Sequence, residues 1–161
     1  MDIIGWHGGW GSFEVVDPRR LGSGEGDSLG WAFYFAANRQ GGEYFAEWAH
    51  RTPHFGAGYL HKVHLSVARR SVWIEPAEGN MFMSTRGDRI SWSDYLGTRG
   101  ELGDARAAQW LLGLGVDAIV ATEEMPAHGV TYAVLNLDRV RIIESYRYCY
   151  DLNRCSWDKA R

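Results

Sequence analysis

The order of apolar and polar positions in the first third of the chain predicts a strand, a loop, a strand and a helix. Residues 2–6 form a short, mostly apolar run, and residues 30–36 form a longer apolar and aromatic run. Both have the length of strands. Residues 18–28 are rich in glycine and charge, which predicts a loop between them. From residue 38 onward, apolar residues take a helical spacing that ends before Pro53, which predicts a helix.

The rest of the chain predicts further strands around one clear helix. Residues 59–67 alternate apolar and polar side chains, as a half-buried strand does. Residues 105–114 carry an apolar stripe, with Asp104 as a candidate N-cap and Gly115 where a left-handed C-terminal residue belongs. Three more runs of strand length follow at residues 116–121, 131–137 and 139–143. Helices placed between antiparallel strands indicate the α+β class.

Length and composition fit a single domain over residues 1–161. Hydrophobic residues make up 45% and charged residues 23% of the chain, as in an ordinary globular protein. The sequence has no apolar run near the roughly 20 residues that a membrane span needs. Its first residues lead into a strand without the basic and apolar regions of a secretory signal. We therefore expect a cytoplasmic protein with no membrane partner.

Charge and histidine spacing argue against a nucleic-acid acceptor and against a metal site. A net charge of -3 leaves no surplus of Lys and Arg to face phosphates, so we expect no nucleic-acid acceptor. His61 and His64 invite a metal interpretation, because imidazole is a common zinc ligand. They are three residues apart on a predicted strand, so their side chains point to opposite faces. The sequence therefore predicts no metal site.

Two short motifs carry the candidate chemistry. A Trp-His-Gly motif stands at residues 6–8, and a Tyr-Phe-Ala motif at residues 34–36 is followed in the predicted helix by Tyr44 and Phe45. This order resembles the first two parts of the NAD-binding signature of the poly(ADP-ribose) polymerase-like ADP-ribosyltransferases. The resemblance implies their fold: split antiparallel β-sheets around an NAD cleft, with a few flanking helices.

The resemblance also implies roles for these residues. His7 would hold the adenosine-side ribose, and the backbone of Gly8 would hold the nicotinamide carboxamide. Tyr34 and a second aromatic residue, Tyr44 or Phe45, would stack on the two faces of the nicotinamide ring. NAD would be the co-substrate, and no metal would be needed.

The sequence departs from the family signature at the catalytic acid. There a Glu begins a late strand, whereas the matching residue here is Thr131, which carries no negative charge. The preceding apolar run leads into Glu123 and Glu124, and the end of a neighbouring strand can reach the same position. The resemblance thus implies Glu123 as the acid, with Glu124 as the second choice. It also implies mono-ADP-ribosylation rather than polymer synthesis.

The late segment narrows the resemblance further. Its apolar run at residues 116–120, acidic loop, and then Gly129 and Tyr132 are similar to small phage-encoded ADP-ribosyltransferases of the anti-CRISPR type. This similarity implies a protein acceptor in the host cytosol and a role in counter-defence or as a toxin. Three alternatives stay open: an NAD glycohydrolase, a non-catalytic module that binds NAD or ADP-ribose, and an interaction domain with a tryptophan-rich surface.

Overall fold

The computed structural model describes residues 1–21, 29–51, 57–77, 79–122, 129–151 and 154–159. Within these ranges the chain forms three α-helices, α1 (Arg39–Arg51), α2 (Trp92–Leu102) and α3 (Asp104–Gly113). The strands in the same ranges are β1 (Asp2–Gly9), β2 (Phe33–Ala36), β3 (Tyr59–Ser66), β4 (Val72–Ile74), β5 (Phe82–Met83), β6 (Arg89–Ile90), β7 (Ala118–Thr122), β8 (Val130–Val134), β9 (Val140–Asp151) and β10 (Arg154–Lys159).

Eight of these strands form one mixed sheet in the order β10-β9-β3-β1-β2-β8-β7-β4. Neighbouring strands in it are antiparallel except β4 and β7, which run parallel. The remaining strands, β5 and β6, form a small separate hairpin. The predicted α+β class is therefore confirmed, and the sheet is mixed where the resemblance implied antiparallel strands alone.

The sheet is weakly paired at one place, between β1 and β2. On its other side, β1 pairs with β3 along its whole length, from Asp2 opposite Ser66 to Gly9 opposite Tyr59. With β2, in contrast, β1 shares the single registered pair of Trp6 and Ala36. Two groups of four strands, β10-β9-β3-β1 and β2-β8-β7-β4, thus meet at this contact, which we call the β1–β2 seam.

Side chains alternate along the strands, and this gives the sheet two buried faces. On one side, which we call the helix face, residues of β4, β7 and β8 pack with α2 and α3. The cluster includes Trp73, Tyr95, Leu111, Ile119 and Ala133. On the other side, which we call the loop face, the strands bury a cluster with contributions from Phe13, Val16 and Leu21, all from the segment after β1. Both faces of the central strands are therefore covered, as their continuous apolar runs require.

Most predicted elements are present with shifted ends. The first strand, the helix after β2, the alternating strand and the helix before Gly115 all occur. Gly115 has a φ of 89°, as its C-terminal position requires. The predicted N-cap is wrong, because Gly103 and not Asp104 caps α3. The pattern did not predict α2, β4, β5, β6 or β10, and residues 22–28 of the predicted loop lie outside the described residues.

The helices are short. Of those in the described ranges, none is long and apolar enough to cross a membrane.

Candidate functional site

The two sequence motifs meet at the β1–β2 seam through one hydrogen bond. The Nδ1 atom of His7 donates to the backbone carbonyl of Tyr34 over 2.6 Å. Because a carbonyl oxygen only accepts, the neutral ring carries its proton on Nδ1 and leaves Nε2 as an acceptor. A Cβ on Gly9 would lie 3.2 Å from this Nε2 atom, so glycine there keeps a side chain away from it. The arrangement fixes a tautomer that can accept a hydrogen bond from a ligand hydroxyl.

Aromatic rings surround His7 on the loop face. Its ring centroid lies 4.5 Å from that of Phe33 and 5.6 Å from that of Phe13. The ring of His61 stacks beside it at 6.1 Å. Burial lowers the pKa of His7 to about 4; the bond to Tyr34 opposes this shift, and the charge on a protonated His61 adds to it. His7 is therefore neutral at pH 7.

His61 has a structural role in the same cluster. Its Nε2 donates to the carbonyl of Gly11 over 2.9 Å, and its Nδ1 accepts from the hydroxyl of Ser145 over 2.7 Å. Burial lowers its pKa as well. His64 is partly exposed on the helix face, so the predicted opposite orientation of the two histidines is confirmed. Among the described residues no group of three or more His, Cys, Asp or Glu is placed to hold a metal ion.

Gly8 lies where β1 crosses α1. A Cβ at this position would come within 1.9 Å of the carbonyl oxygen of Gly42 and 2.6 Å of the backbone nitrogen of Ala46. A Cβ on Gly42 would in turn lie 2.7 Å from the Cβ of Trp6. The two glycines let the strand and the helix interlock, and this packing is a structural reason for glycine at position 8 that the motif alone did not reveal.

Tyr34 projects from the other side of the seam. Its ring packs against the buried cluster of the helix face, and its hydroxyl donates to the carbonyl of Gly30 over 2.6 Å. The ring of His7 lies on the loop face, next to Phe33. The side chains of His7 and Tyr34 thus occupy opposite faces of the sheet, and the carbonyl of Tyr34 connects them.

Tyr44 and Phe45 form an aromatic surface on α1. They are 44% and 37% exposed, and Trp48, one turn later, is 41% exposed. The rings of Tyr44 and Phe45 are nearly perpendicular, with centroids 5.4 Å apart. Large aromatic rings at the surface of a helix offer flat faces for a ligand to stack on.

Thr131, the residue that the resemblance matches to a catalytic Glu, is buried. Thr131 in β8 pairs with Ala36 on one side and Ala121 on the other, and it is 6% exposed. Glu123 and Glu124 lie outside the residues that the structure describes.

One carboxylate near the end of β7 was not identified from the sequence. The side chain of Glu75 accepts hydrogen bonds from Thr122, the last described residue before the acidic segment. The signal available for it was the step from the apolar run Val72–Ile74 to a Glu-Pro pair, which marks a strand end.

Comparisons of the chain with protein-family models, with curated proteins and with solved structures gave no match.

Proposed function

We propose that this protein is an NAD-dependent mono-ADP-ribosyltransferase with a protein acceptor. The observation that carries the proposal is the 2.6 Å bond between His7 Nδ1 and the Tyr34 carbonyl, which joins the two parts of the NAD-binding motif across the β1–β2 seam. The seam is consistent with the split sheet that the motif implies, because β1 and β2 share a single registered residue pair there. A cleft for NAD would open at this seam.

In this proposal NAD would contact residues from both faces of the sheet at the β1–β2 seam. The acceptor Nε2 of the neutral His7 can take a hydrogen bond from a ribose hydroxyl. The exposed rings of Tyr44 and Phe45 provide faces for nicotinamide. The backbone of Gly8 would hold the carboxamide from beside α1. Tyr34 would line the site from the helix face.

In the reaction, the bond between the ribose C1′ and the nicotinamide nitrogen breaks. Nicotinamide leaves with the electron pair, and a nucleophile of the acceptor protein bonds to C1′ and loses its proton. The transition state resembles an oxocarbenium ion, as in glycoside hydrolysis. A carboxylate below the ribose stabilises this cation. We assign that role to Glu123, with Glu124 as the alternative, since Thr131 has no charge to offer.

Nicotinamide release by the purified protein tests the proposal, and charge removal tests the acid. Glu123→Gln keeps the shape of the side chain and removes the charge, so turnover should fall about 10²-fold or more, while NAD affinity changes much less. Glu124→Gln is the matched control, because it removes the same charge one residue further along the chain. Loss of activity in Glu124→Gln alone would shift the assignment by one residue. Full activity in both variants would refute it.

The buried Thr131 favours a second candidate, a non-catalytic module that binds NAD or ADP-ribose. That module would bind NAD in calorimetry and release no nicotinamide. An NAD glycohydrolase would release nicotinamide without labelling any protein. Mass spectrometry of a host lysate incubated with the protein and labelled NAD separates the transferase from both.

A further inference from the structure

The segment that follows β1 packs against the His7 ring on the loop face. We call this segment, residues 10–17, the strap; it forms neither helix nor strand. The ring centroid of Phe13 lies 5.6 Å from that of His7 and 6.1 Å from that of Phe33. A Cβ on Gly9, the residue just before the strap, would lie 3.2 Å from the Nε2 atom of His7. The acceptor nitrogen of His7 therefore lies beside the start of the strap.

His61 fastens the strap to the sheet. Its Nε2 atom donates to the carbonyl of Gly11 over 2.9 Å, while the Ser145 hydroxyl donates to its Nδ1 atom over 2.7 Å and fixes the ring. The Phe13 ring also packs on the His61 ring, with centroids 4.1 Å apart. Val15, by contrast, is 79% exposed. One hydrogen bond and the contacts of one aromatic ring thus hold the strap over His7.

The strap can leave His7 without disturbing the sheet. Its far end is fixed separately, because Val16 packs on the loop-face cluster and the Asp17 carboxylate accepts the backbone N–H of Arg19. At its near end, Gly11 can absorb a large change of backbone angles, as hinge residues do. Opening would break the bond at Gly11 and the contacts of Phe13, and β1 would stay paired with β3 up to Gly9.

We propose that the strap is an autoinhibitory lid over His7: the Phe13 ring closes the approach to the ring of His7 from the loop face, and the bond from His61 to Gly11 holds the lid closed. This role rests on the proposed function, in which a ribose hydroxyl of NAD binds Nε2 of His7. The closed form is the one that the structure describes. The apparent affinity for NAD is then reduced by the small fraction of molecules that are open.

Four substitutions test the lid. Phe13→Ala removes the ring beside His7, and His61→Leu removes the donor to Gly11 while keeping an apolar side chain; both should open the strap. Phe13→Leu keeps an apolar side chain against His7. Val15→Ala is the matched control, because Val15 belongs to the strap and faces solvent. Thermal melting verifies that each variant is folded, and either of the two opening variants suffices for the test.

Chemical labelling of His7 measures opening without NAD. Diethyl pyrocarbonate acylates unprotonated histidine rings, and mass spectrometry of the peptides reports each ring separately. In the wild type, His7 should react more slowly than the partly exposed His64. Phe13→Ala and His61→Leu should speed the labelling of His7 about tenfold, as expected if the open state is a minor one of about 10% or less. Phe13→Leu and Val15→Ala should resemble the wild type.

Calorimetry with NAD then tests whether the lid controls the proposed site. The Kd for NAD should fall about tenfold in the two opening variants, because binding no longer has to displace the strap. If the wild type neither binds NAD nor releases nicotinamide but His7 labelling responds as expected, the proposed function alone is refuted. If the wild type binds NAD, unchanged labelling or unchanged affinity in the folded opening variants would refute the lid. A wild-type His7 labelled as fast as His64 would refute it as well. Weaker NAD binding in Phe13→Ala would also refute it, because Phe13 would then be a contact of the ligand.

Discussion

Gly8 has no room for a side chain at the crossing of β1 and α1. Its added Cβ would meet the carbonyl oxygen of Gly42 at 1.9 Å, and this atom belongs to the backbone and cannot rotate away. We expect Gly8→Ala to lower the free energy of unfolding by about 1–3 kcal/mol or more, the range for overpacked positions. Denaturant unfolding measures the change.

Gly100 in α2 offers a matched control. Nothing lies within 4 Å of a Cβ added there, and Ala is preferred over Gly inside a helix by up to about 1 kcal/mol. Gly100→Ala should therefore stabilise the protein. A Gly8→Ala variant as stable as the wild type would contradict the close approach of β1 and α1.

The aromatic residues proposed to stack on nicotinamide differ in their other contacts and in their exposure. Tyr34 also packs in the helix-face cluster and binds Gly30, whereas Tyr44 and Phe45 are exposed. Tyr34→Ala should therefore lower both NAD affinity and melting temperature. Tyr44→Ala or Phe45→Ala, whichever ring stacks, should weaken NAD binding by roughly 1–3 kcal/mol with little change in melting temperature. Calorimetry of NAD binding measures the affinity of each variant, with Trp48→Ala as the control. Equal affinity in all four variants would remove α1 and Tyr34 from the site.

At the scale of elements, α2 begins with a complete capping box. The hydroxyl of Ser91 accepts the backbone N–H of Asp94, and the carboxylate of Asp94 accepts the backbone N–H of Ser91. We expect Ser91→Ala to cost about 1 kcal/mol of stability, as the loss of an N-cap usually does. Ser93→Ala, exposed in the same first turn, should change little. The difference in unfolding free energy between the two variants checks the cap, and equal values would show that it contributes nothing.

The order of apolar and polar residues predicted those elements whose pattern lies within a short stretch of sequence. β3 follows from alternation, and α3 follows from an apolar stripe that ends before Gly115. The spacing of Ser91 and Asp94 indicates where α2 begins. Tyr95 is the one residue that this helix buries, so the helix shows no clear apolar stripe. β4 has three residues and pairs in parallel with β7, a partner far away in sequence. A strand this short has no period to detect.

At the scale of the whole molecule, the motifs indicated which residues approach the seam but not which way they face. The helix face for Tyr34 and the loop face for His7 depend on the register of β1 against β2, which no local pattern encodes. The same holds for the bond between Glu75 and Thr122, which joins residues 47 positions apart. Contacts between residues this far apart in the sequence depend on the packing of the complete sheet.

The loop-face histidines link the stability of the whole fold to pH. The folded state holds His7 neutral, with its pKa lowered from 6.5 to about 4 by burial, and the pKa of His61 is lowered for the same reason. The unfolded chain binds protons at these residues below about pH 6.5, while the folded chain does not until lower pH. Stability is therefore fully present above pH 6.5 and is lost as pH falls toward 4.

We expect the free energy of unfolding to drop between pH 7 and pH 4.5, with His7 alone contributing about 3 kcal/mol at most, since one pKa unit corresponds to about 1.4 kcal/mol. Denaturant unfolding across this range measures the loss, and NMR titration of the His7 ring measures its pKa directly. His7→Gln keeps an amide donor without a titrating ring, so its stability should depend less on pH. A wild-type protein equally stable at pH 7 and pH 5, or a His7 ring that titrates near 6.5, would show that the loop face does not bury these rings as tightly as the contacts with Phe13 and Phe33 indicate.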